Sequence, residues 1–175
     1  MNATNTKHSF IKIFILFLLS YSLPVVALSE IRSVYGYIEP ITLLPWKQPL
    51  NARLDTGAES SSISAKDINI YKIDTGENYV AFRVAHPSIS NEYYYDLPLK
   101  KEIPIKNRQG EDNDGAESFR PVVEIPLCFD KKQYIVEANL IDRSELINPV
   151  LIGRDTLDKF RADIDPSSKN TIQGC

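Results

Sequence analysis

The segment Ala52–Ile63 reads ARLDTGAESSSI, and the interpretation of the whole chain depends on it. An alternating strand pattern ends at Asp55, and Thr56–Gly57 follows it as a turn-forming pair. Gly57 has no Cβ, so another chain can approach the backbone closely at this point. The segment therefore predicts a carboxylate held at a strand end in a tight, accessible turn.

Hydrolysis of a peptide bond by two aspartates needs such a turn, because water and substrate must both come within hydrogen-bond distance of the carboxylates. We interpret Asp55 as the catalytic residue and the Thr56 hydroxyl as a donor that fixes it from across a two-fold axis. Ala58 and the serines after it are small enough for a second copy to pack against the turn. Asp55 then receives its catalytic partner from that second copy.

A second Asp-Thr-Gly triplet lies at residues 74–76, so the triplet by itself is a weak signal. Strand-like runs flank it at Ile68–Ile73 and Tyr79–Val84, and Asp and Gly are typical hairpin-turn formers. We expect Asp74 to be structural. The two triplets also lie too close together in sequence for a complete lobe to form around each.

The fold prediction is an all-β domain. Short β-segments alternate with Pro, Gly, Asn and Asp from Val34 onward. Only Arg154–Phe160 has helical spacing. The loops His86–Asn91 and Asn107–Glu117 are interpreted either as mobile hairpins or as ordinary solvated turns. The predicted strands are Val34–Ile41, Ala52–Asp55, Tyr79–Ala85, Tyr93–Leu99, Val122–Phe129, Tyr134–Ile141 and Arg161–Ile164.

Residues 1–27 have the layout of a secretory signal peptide: two lysines precede the apolar run Ile13–Leu23, and Val25–Ala27 provides small residues for cleavage. The run is short for a permanent membrane span, and an uncleaved anchor is the alternative. We predict an exported protein, periplasmic or secreted, with one domain at residues 28–175 and no stable membrane insertion.

Composition and motifs argue against several function classes. The chain has 20 basic and 23 acidic residues, a balance that argues against nucleic acid as a partner. Outside the leader His86 is the only histidine, so the usual two-imidazole zinc site cannot form, and no phosphate-binding glycine loop is present. We predict no metal and no cofactor. Cys128 and Cys175 form either a disulfide that staples the C-terminal tail or two separate thiols.

The second informative segment is Pro149–Leu157, PVLIGRDTL, in which an apolar strand ends at Gly153 and a short helix begins at Arg154–Asp155. Together with the Asp55 segment, it resembles the two hallmarks of retropepsins, single-lobed aspartic proteases. The chain is most similar to a bacterial branch, the RimB-like family often labelled "ATP-dependent zinc protease". The similar segments are Ala52–Ala65, Arg120–Val123, Ile141–Arg143 and Pro149–Arg154, with Phe160 and Asp163.

The resemblance implies a closed β-barrel of the acid-protease type, active as a homodimer. It implies Asp55 as the catalytic aspartate, with Thr56 and Gly57 as its turn. Gly153, Arg154 and Asp155, with Ala58, would support that turn and the dimer contact. The alternative for Arg154 and Asp155 is an ordinary surface ion pair at a helix start.

The chain also departs from the retropepsin pattern. A glycine-rich flap is not reproduced, and Asn107–Gly115 is the candidate for it. Arg53, beside the catalytic strand, is more polar than the residue usual in viral or pepsin-like proteases, although it fits the bacterial branch. Asp142 and Arg143 recur in the bacterial pattern, and we interpret them as structural.

We therefore predict an exported aspartic endopeptidase that acts on peptide or protein substrates. Its water would be activated by two Asp55 carboxylates across a homodimer. The alternative function is a catalytically silent β-barrel of the cell envelope that binds peptides or serves as an assembly module.

Overall fold

The computed structural model describes residues 31–104 and 119–175. The predicted leader and the flap candidate Asn107–Gly115 lie outside this range. Within it, no helix is long and apolar enough to cross a membrane. The described elements, in chain order, are β1 Ser33–Gly36, β2 Ile38–Leu43, β3 Gln48–Leu54, β4 Ser61–Lys72, β5 Asn78–Val84, β6 Tyr93–Pro104, β7 Phe119–Phe129, β8 Lys132–Ile141, β9 Val150–Ile152, α1 Arg154–Phe160 and β10 Ala162–Asp165.

Eight of these strands form one sheet in the order β2-β3-β9-β4-β5-β6-β7-β8, and β1 pairs separately with β10. Additional pairings of β2 with β7 and of β4 with β8 fold the sheet back on itself. Side chains alternate across each strand, so Leu50, Ala52 and Leu54 of β3 point into the core while Arg53 points outward. The predicted all-β closed barrel with one short helix is confirmed.

The boundaries of the strands differ from the predictions in two informative places. Tyr37 divides the predicted strand Val34–Ile41 into β1 and β2, which belong to different sheets. The twelve-residue strand β4 was not predicted as a whole, because its first half is rich in serine, which has no strong strand propensity. Tertiary hydrogen bonds satisfy those buried hydroxyls and allow the strand to form.

The helix α1 packs against the barrel through two large apolar side chains. Leu157 and Phe160 are buried, and the Phe160 ring stacks on Phe129 with centroids 4.4 Å apart. Arg161 ends the helix in the left-handed conformation, with a φ of 53°. The predicted bounds Arg154–Phe160 are those observed.

The C-terminal tail is fastened to the barrel at two points. Cys128 and Cys175 form a disulfide with a Cα–Cα distance of 6.1 Å, which decides the alternative that the sequence left open. The fully buried Glu39 carboxylate accepts hydrogen bonds from the Thr171 hydroxyl at 2.6 Å and from the Ile172 amide at 3.2 Å. A buried carboxylate is tolerated here because backbone and hydroxyl donors surround it.

The predicted turn at residues 74–76 and the predicted loop His86–Asn91 both lie in the described part of the chain. Residues 74–76 form the turn of the β4–β5 hairpin, where Gly76 has a φ of 91°. This position agrees with the structural role expected for Asp74. In the loop His86–Asn91, His86 and Ile89 are buried, so this segment is more than a solvated turn.

Candidate active site

Asp55 lies at the end of β3 in a hydrogen-bonded turn. Its amide donates to the Ile152 carbonyl oxygen at 2.9 Å, which ties the turn to β9. The Gly57 amide donates to Asp55 Oδ1 at 2.9 Å, and the Ala58 amide donates to the Asp55 carbonyl oxygen at 3.3 Å. The side chain keeps 27% of its surface exposed. The carboxylate is therefore held in one orientation and still reaches solvent.

Thr56 and Gly57 are exposed at the tip of this turn. A Cβ on Gly57 would lie 3.1 Å from Asp55 Oδ1, closer than ordinary van der Waals contact. Glycine thus preserves the space beside the carboxylate, as the sequence suggested. The predicted action of the Thr56 hydroxyl across a two-fold axis involves a second copy and stays a prediction.

The insertion of β9 between β3 and β4 brings the C-terminal motif to the Asp55 turn. Leu54 of β3 lies opposite Ile152 of β9, and Gly153 follows directly. A Cβ on Gly153 would lie 2.6 Å from the carbonyl carbon and oxygen of Ser60. Only glycine therefore allows the chain after the Asp55 turn to pack against the junction of β9 and α1.

Arg154 braces the turn from outside. Its Nη1 atom donates to the carbonyl oxygen of Thr56 at 3.1 Å and to that of Gly57 at 3.3 Å. Its amide donates to the Ala58 carbonyl oxygen at 2.9 Å. The guanidinium therefore holds the backbone on both sides of the turn tip while remaining exposed.

Asp155 supports the same region through its backbone. Its amide donates to the Glu59 carbonyl oxygen at 3.1 Å, and its side chain is exposed. Among residues 31–104 and 119–175, no ion pair joins Arg154 to Asp155. The geometry thus places Arg154 against the turn rather than in a local surface pair.

Two serines that follow the Asp55 turn are buried rather than exposed at its surface. We expected this run to keep the surface thin for a second copy, yet Ser61 and Ser62 are buried within the same chain. The Ser61 hydroxyl donates to Thr156 Oγ1 at 2.8 Å and accepts from the Gly153 amide at 3.1 Å. Because β4 runs between β9 and β8 at this point, its small polar side chains become internal hydrogen-bond partners.

Three side chains lie side by side near Asp55, on the same face of the neighbouring strands β3, β9 and β4. Arg53 of β3 lies opposite Leu151 of β9, which in turn lies opposite Ser62 of β4. Residues opposite each other on paired strands project to the same face, and so does Asp55, two positions after Arg53. The Arg53 Nε atom lies 3.3 Å from Asp55 Oδ2. The face that carries the carboxylate therefore also carries a cation.

A second cation reaches this face from the loop after β8. Arg143 is only 6% exposed; its Nη1 donates to Ser62 Oγ at 2.9 Å and its Nε to the Asn148 carbonyl oxygen at 3.0 Å. Burial lowers the pKa of Arg143, and the nearby charge of Arg53 lowers it further. No carboxylate in the described part of the chain forms an ion pair with Arg143.

A buried guanidinium with only neutral partners is costly. Titratable groups with perturbed pKa values cluster at functional sites, which makes Arg143 a candidate site residue. From sequence we interpreted Arg143 as structural, within the segment Ile141–Arg143 that resembles the bacterial family. That pattern did not show that its guanidinium is buried near the charge of Arg53. Its neighbour Asp142 does have a local role: hydrogen bonds from Ser144 lower the pKa of Asp142 and fix the start of the loop.

Metal ligands do not gather in the described ranges. No three His, Cys, Asp or Glu side chains within residues 31–104 and 119–175 lie close enough together to hold a metal ion. The groups at the Asp55 turn are its carboxylate, the backbone amide of Gly57 and the guanidinium of Arg53. The Arg143 guanidinium lies near Arg53 and binds Ser62 on the same face.

A single-lobed closed barrel with an Asp-Thr-Gly turn at a strand end, braced by a Gly-Arg helix start, defines the retropepsin-like class of aspartic endopeptidases. The chain belongs to the RimB-like family within that class: residues 34–174 match the family model described as "Retropepsin-like aspartic endopeptidase RimB".

Curated relatives carry a different activity in their names. A probable alpha-L-glutamate ligase of Desulfotalea psychrophila is 32% identical over 120 residues, which cover 67% of this chain and 24% of the ligase. A protein of the same name from Shewanella pealeana is 29% identical over 118 residues, covering 67% of this chain and 25% of that protein. The chain thus spans about a quarter of the length of these relatives.

A solved structure shares the fold. The crystal structure of a Legionella pneumophila protein with unknown function (DUF785) superposes with a TM-score of 0.68 at 29% identity. The match covers 81% of this chain and 98% of that protein.

Proposed function

We propose that the chain is an aspartic endopeptidase in which two copies each contribute Asp55 to one active site. The observation that carries the proposal is the geometry of the Asp55 turn, in which the carboxylate is fixed by the Gly57 amide and Arg154 braces the backbone. The turn tip is exposed, and so are Arg154 and Asp155 beside it. A surface of this kind is open for a second copy to approach.

The mechanism follows from two carboxylates that share one proton. The ionised Asp55 takes a proton from a water, whose oxygen attacks the peptide carbonyl carbon. The protonated Asp55 of the other copy gives its proton to the carbonyl oxygen. When the C–N bond breaks, the first Asp55 gives its proton to the leaving amine, and a hydroxyl of the tetrahedral intermediate returns a proton to the second Asp55, so the pair again holds one proton. Because the pair titrates as a unit, activity should have a bell-shaped pH dependence with an acidic limb.

The test uses the purified chain and two matched variants. Asp55→Asn should abolish peptide cleavage, whereas Asp74→Asn changes the other Asp-Thr-Gly triplet, in an exposed hairpin turn, and should leave cleavage intact. An Asp55→Asn variant with full activity refutes the assignment. If neither wild type nor variant cleaves any peptide but both bind one, the silent envelope module becomes the better description.

Mixing subunits tests the dyad itself. Equal amounts of wild type and Asp55→Asn are mixed and allowed to exchange subunits at random, so about a quarter of the dimers hold two wild-type copies. If both aspartates are required, the mixture should have about a quarter of the activity of the same total amount of wild type. If each copy acts alone, about half should remain. Sedimentation of the two proteins should show the same dimer, since the substitution leaves the turn's shape unchanged.

The charge of the site favours an acidic substrate. Arg53 and Arg143 lie on the Asp55 face, and Arg143 has no anionic partner in the described residues. A substrate carboxylate would compensate that buried charge. The naming of the relatives as alpha-L-glutamate ligases is compatible with this preference. Cleavage of a glutamate-containing peptide should exceed that of its glutamine counterpart, and salt should reduce the difference.

Export is part of the proposal. The leader-like residues 1–27 support it, and so does the Cys128–Cys175 disulfide, since such bonds persist in oxidising compartments. Detection of the chain in the periplasm or medium, with its N-terminus at residue 28, would support this location.

A further inference from the structure

The loop Asp142–Pro149, which carries Arg143, is held by the side chain of a residue far away in sequence. His86, only 8% exposed, follows β5 and places its Nε2 atom 2.9 Å from the Leu146 carbonyl oxygen. The Leu146 amide in turn donates to the Arg143 carbonyl oxygen at 2.8 Å. The imidazole therefore contacts the turn whose first residue supplies the buried guanidinium.

The hydrogen bonds of the ring define its tautomer. The Ser88 amide donates to His86 Nδ1 at 3.1 Å, and the Ser88 hydroxyl lies 2.7 Å from the same atom. An amide can only donate, so Nδ1 is the acceptor and the proton is on Nε2. The Nε2–H group then donates to Leu146, and both ring nitrogens are satisfied.

The same loop is fixed to β4 on its other side. The Arg143 amide donates to Ser64 Oγ at 3.2 Å, and the Ser64 hydroxyl donates to the Ala85 carbonyl oxygen, next to His86, at 2.7 Å. The segment 85–86 and β4 thus hold the Arg143 turn between them. A change at His86 should alter where the guanidinium lies beside Ser62 and Arg53.

We propose that His86 is a positioning residue for substrate binding: its Nε2–H group locks the Asp142–Pro149 loop so that Arg143 presents its charge beside Arg53 on the Asp55 face. The inference rests on the acidic-substrate part of the proposed function. It assigns His86 no contact with the reacting atoms, so its loss should weaken binding of an acidic peptide and spare the chemical step.

Two substitutions of His86 distinguish the hydrogen bond of Nε2 from that of Nδ1. His86→Gln places an amide N–H near the Nε2 position and can keep the bond to Leu146. His86→Asn reaches only to the Nδ1 position, so it can keep the acceptor for the Ser88 amide but loses the bond to Leu146. The two variants are similar in polarity and differ in the contact that matters.

Binding is measured on the full chain carrying Asp55→Asn, so that no turnover interferes, with a fluorescent tetraglutamate peptide and its tetraglutamine counterpart. His86→Asn should raise the Kd for the glutamate peptide about tenfold, the loss expected for one hydrogen bond, and His86→Gln should stay within about threefold of the parent. The Kd for the glutamine peptide should change little in both variants. In the active chain, the same pattern should appear in KM with kcat unchanged.

The tautomer tests the two hydrogen bonds from which the proposal is argued, and a protonated Nδ1 would contradict them. His86 is the only histidine beyond the leader, so ¹⁵N-histidine labelling of the processed chain reports on it alone. The spectrum should show a protonated Nε2 and an unprotonated Nδ1.

Several outcomes overturn the proposal. It fails if the parent does not bind the glutamate peptide, if His86→Asn binds it as well as the parent, or if both variants lose both peptides equally. If cleavage depends on Asp55 but KM is the same in the His86 variants as in the parent, only the positioning role is overturned. If no peptide is cleaved while the binding pattern holds, only the peptidase mechanism fails.

Discussion

Replacing Cys175 by Ser should lower the free energy of unfolding by about 4 kcal/mol. The disulfide joins residues 47 positions apart, and closing a loop of that length removes chain entropy from the unfolded state. The folded state should change little, because Glu39 still holds the tail through Thr171 and Ile172. For a domain of this size the loss corresponds to roughly 8–16 °C in the midpoint of thermal unfolding.

The assay is urea unfolding of wild type and Cys175→Ser, each with and without a reducing agent. Oxidised wild type should be more stable than the variant, and the two should converge when reduced, because reduction opens the same loop. The reasoning is refuted if oxidised wild type and Cys175→Ser unfold at the same urea concentration, or if reduction destabilises the variant as much as wild type.

Two further predictions concern packing and acid stability. Gly153→Ala should lower the free energy of unfolding by roughly 3 kcal/mol, because the new Cβ would lie 2.6 Å from main-chain atoms of Ser60. Gly174→Ala is the control: its Cβ would have its nearest contact at 3.5 Å, so it should be neutral in the same urea assay. Hydrogen bonds from Ser168, and then from Ser167, lower the pKa of Asp165. The ionised Asp165 therefore adds to the free energy of unfolding above the ordinary Asp pKa of about 3.9, and this contribution is lost as the pH falls below that value. Asp165→Asn should therefore flatten the fall in thermal midpoint below about pH 4, and a constant gap between the two proteins at every pH would contradict this.

Much of the fold could be read from local pattern. Alternation of apolar and polar residues predicted most strands, and the apolar spacing in Arg154–Phe160 predicted the helix at its observed bounds. The failure at β4 has a physical cause: Ser61, Ser62 and Ser64 are buried by partners that no local pattern shows. The turn at residues 74–76 was predictable because hairpin geometry is a local property of Asp and Gly.

The candidate site divides in the same way. The turn at Asp55 and the brace from Arg154 were foreseen from motifs, since each motif lies in a continuous stretch. The cationic part was not foreseen, because Arg143 and Ser62 are 81 positions apart, and His86 and Leu146 are 60 apart. The family pattern that contains Asp142 and Arg143 does not show that the Arg143 side chain is buried, because its contacts come from distant parts of the chain.

The sequence by itself determined the strand-ending Asp-Thr-Gly turn, the β-rich character of the domain and the short helix, because each depends on backbone preferences of neighbouring residues. Only the tertiary structure decided that β9 lies between β3 and β4, that Cys128 pairs with Cys175, and that a buried guanidinium stands beside Arg53. Those features depend on strand register and on the cost of burying charge, which are settled only when distant segments pack together.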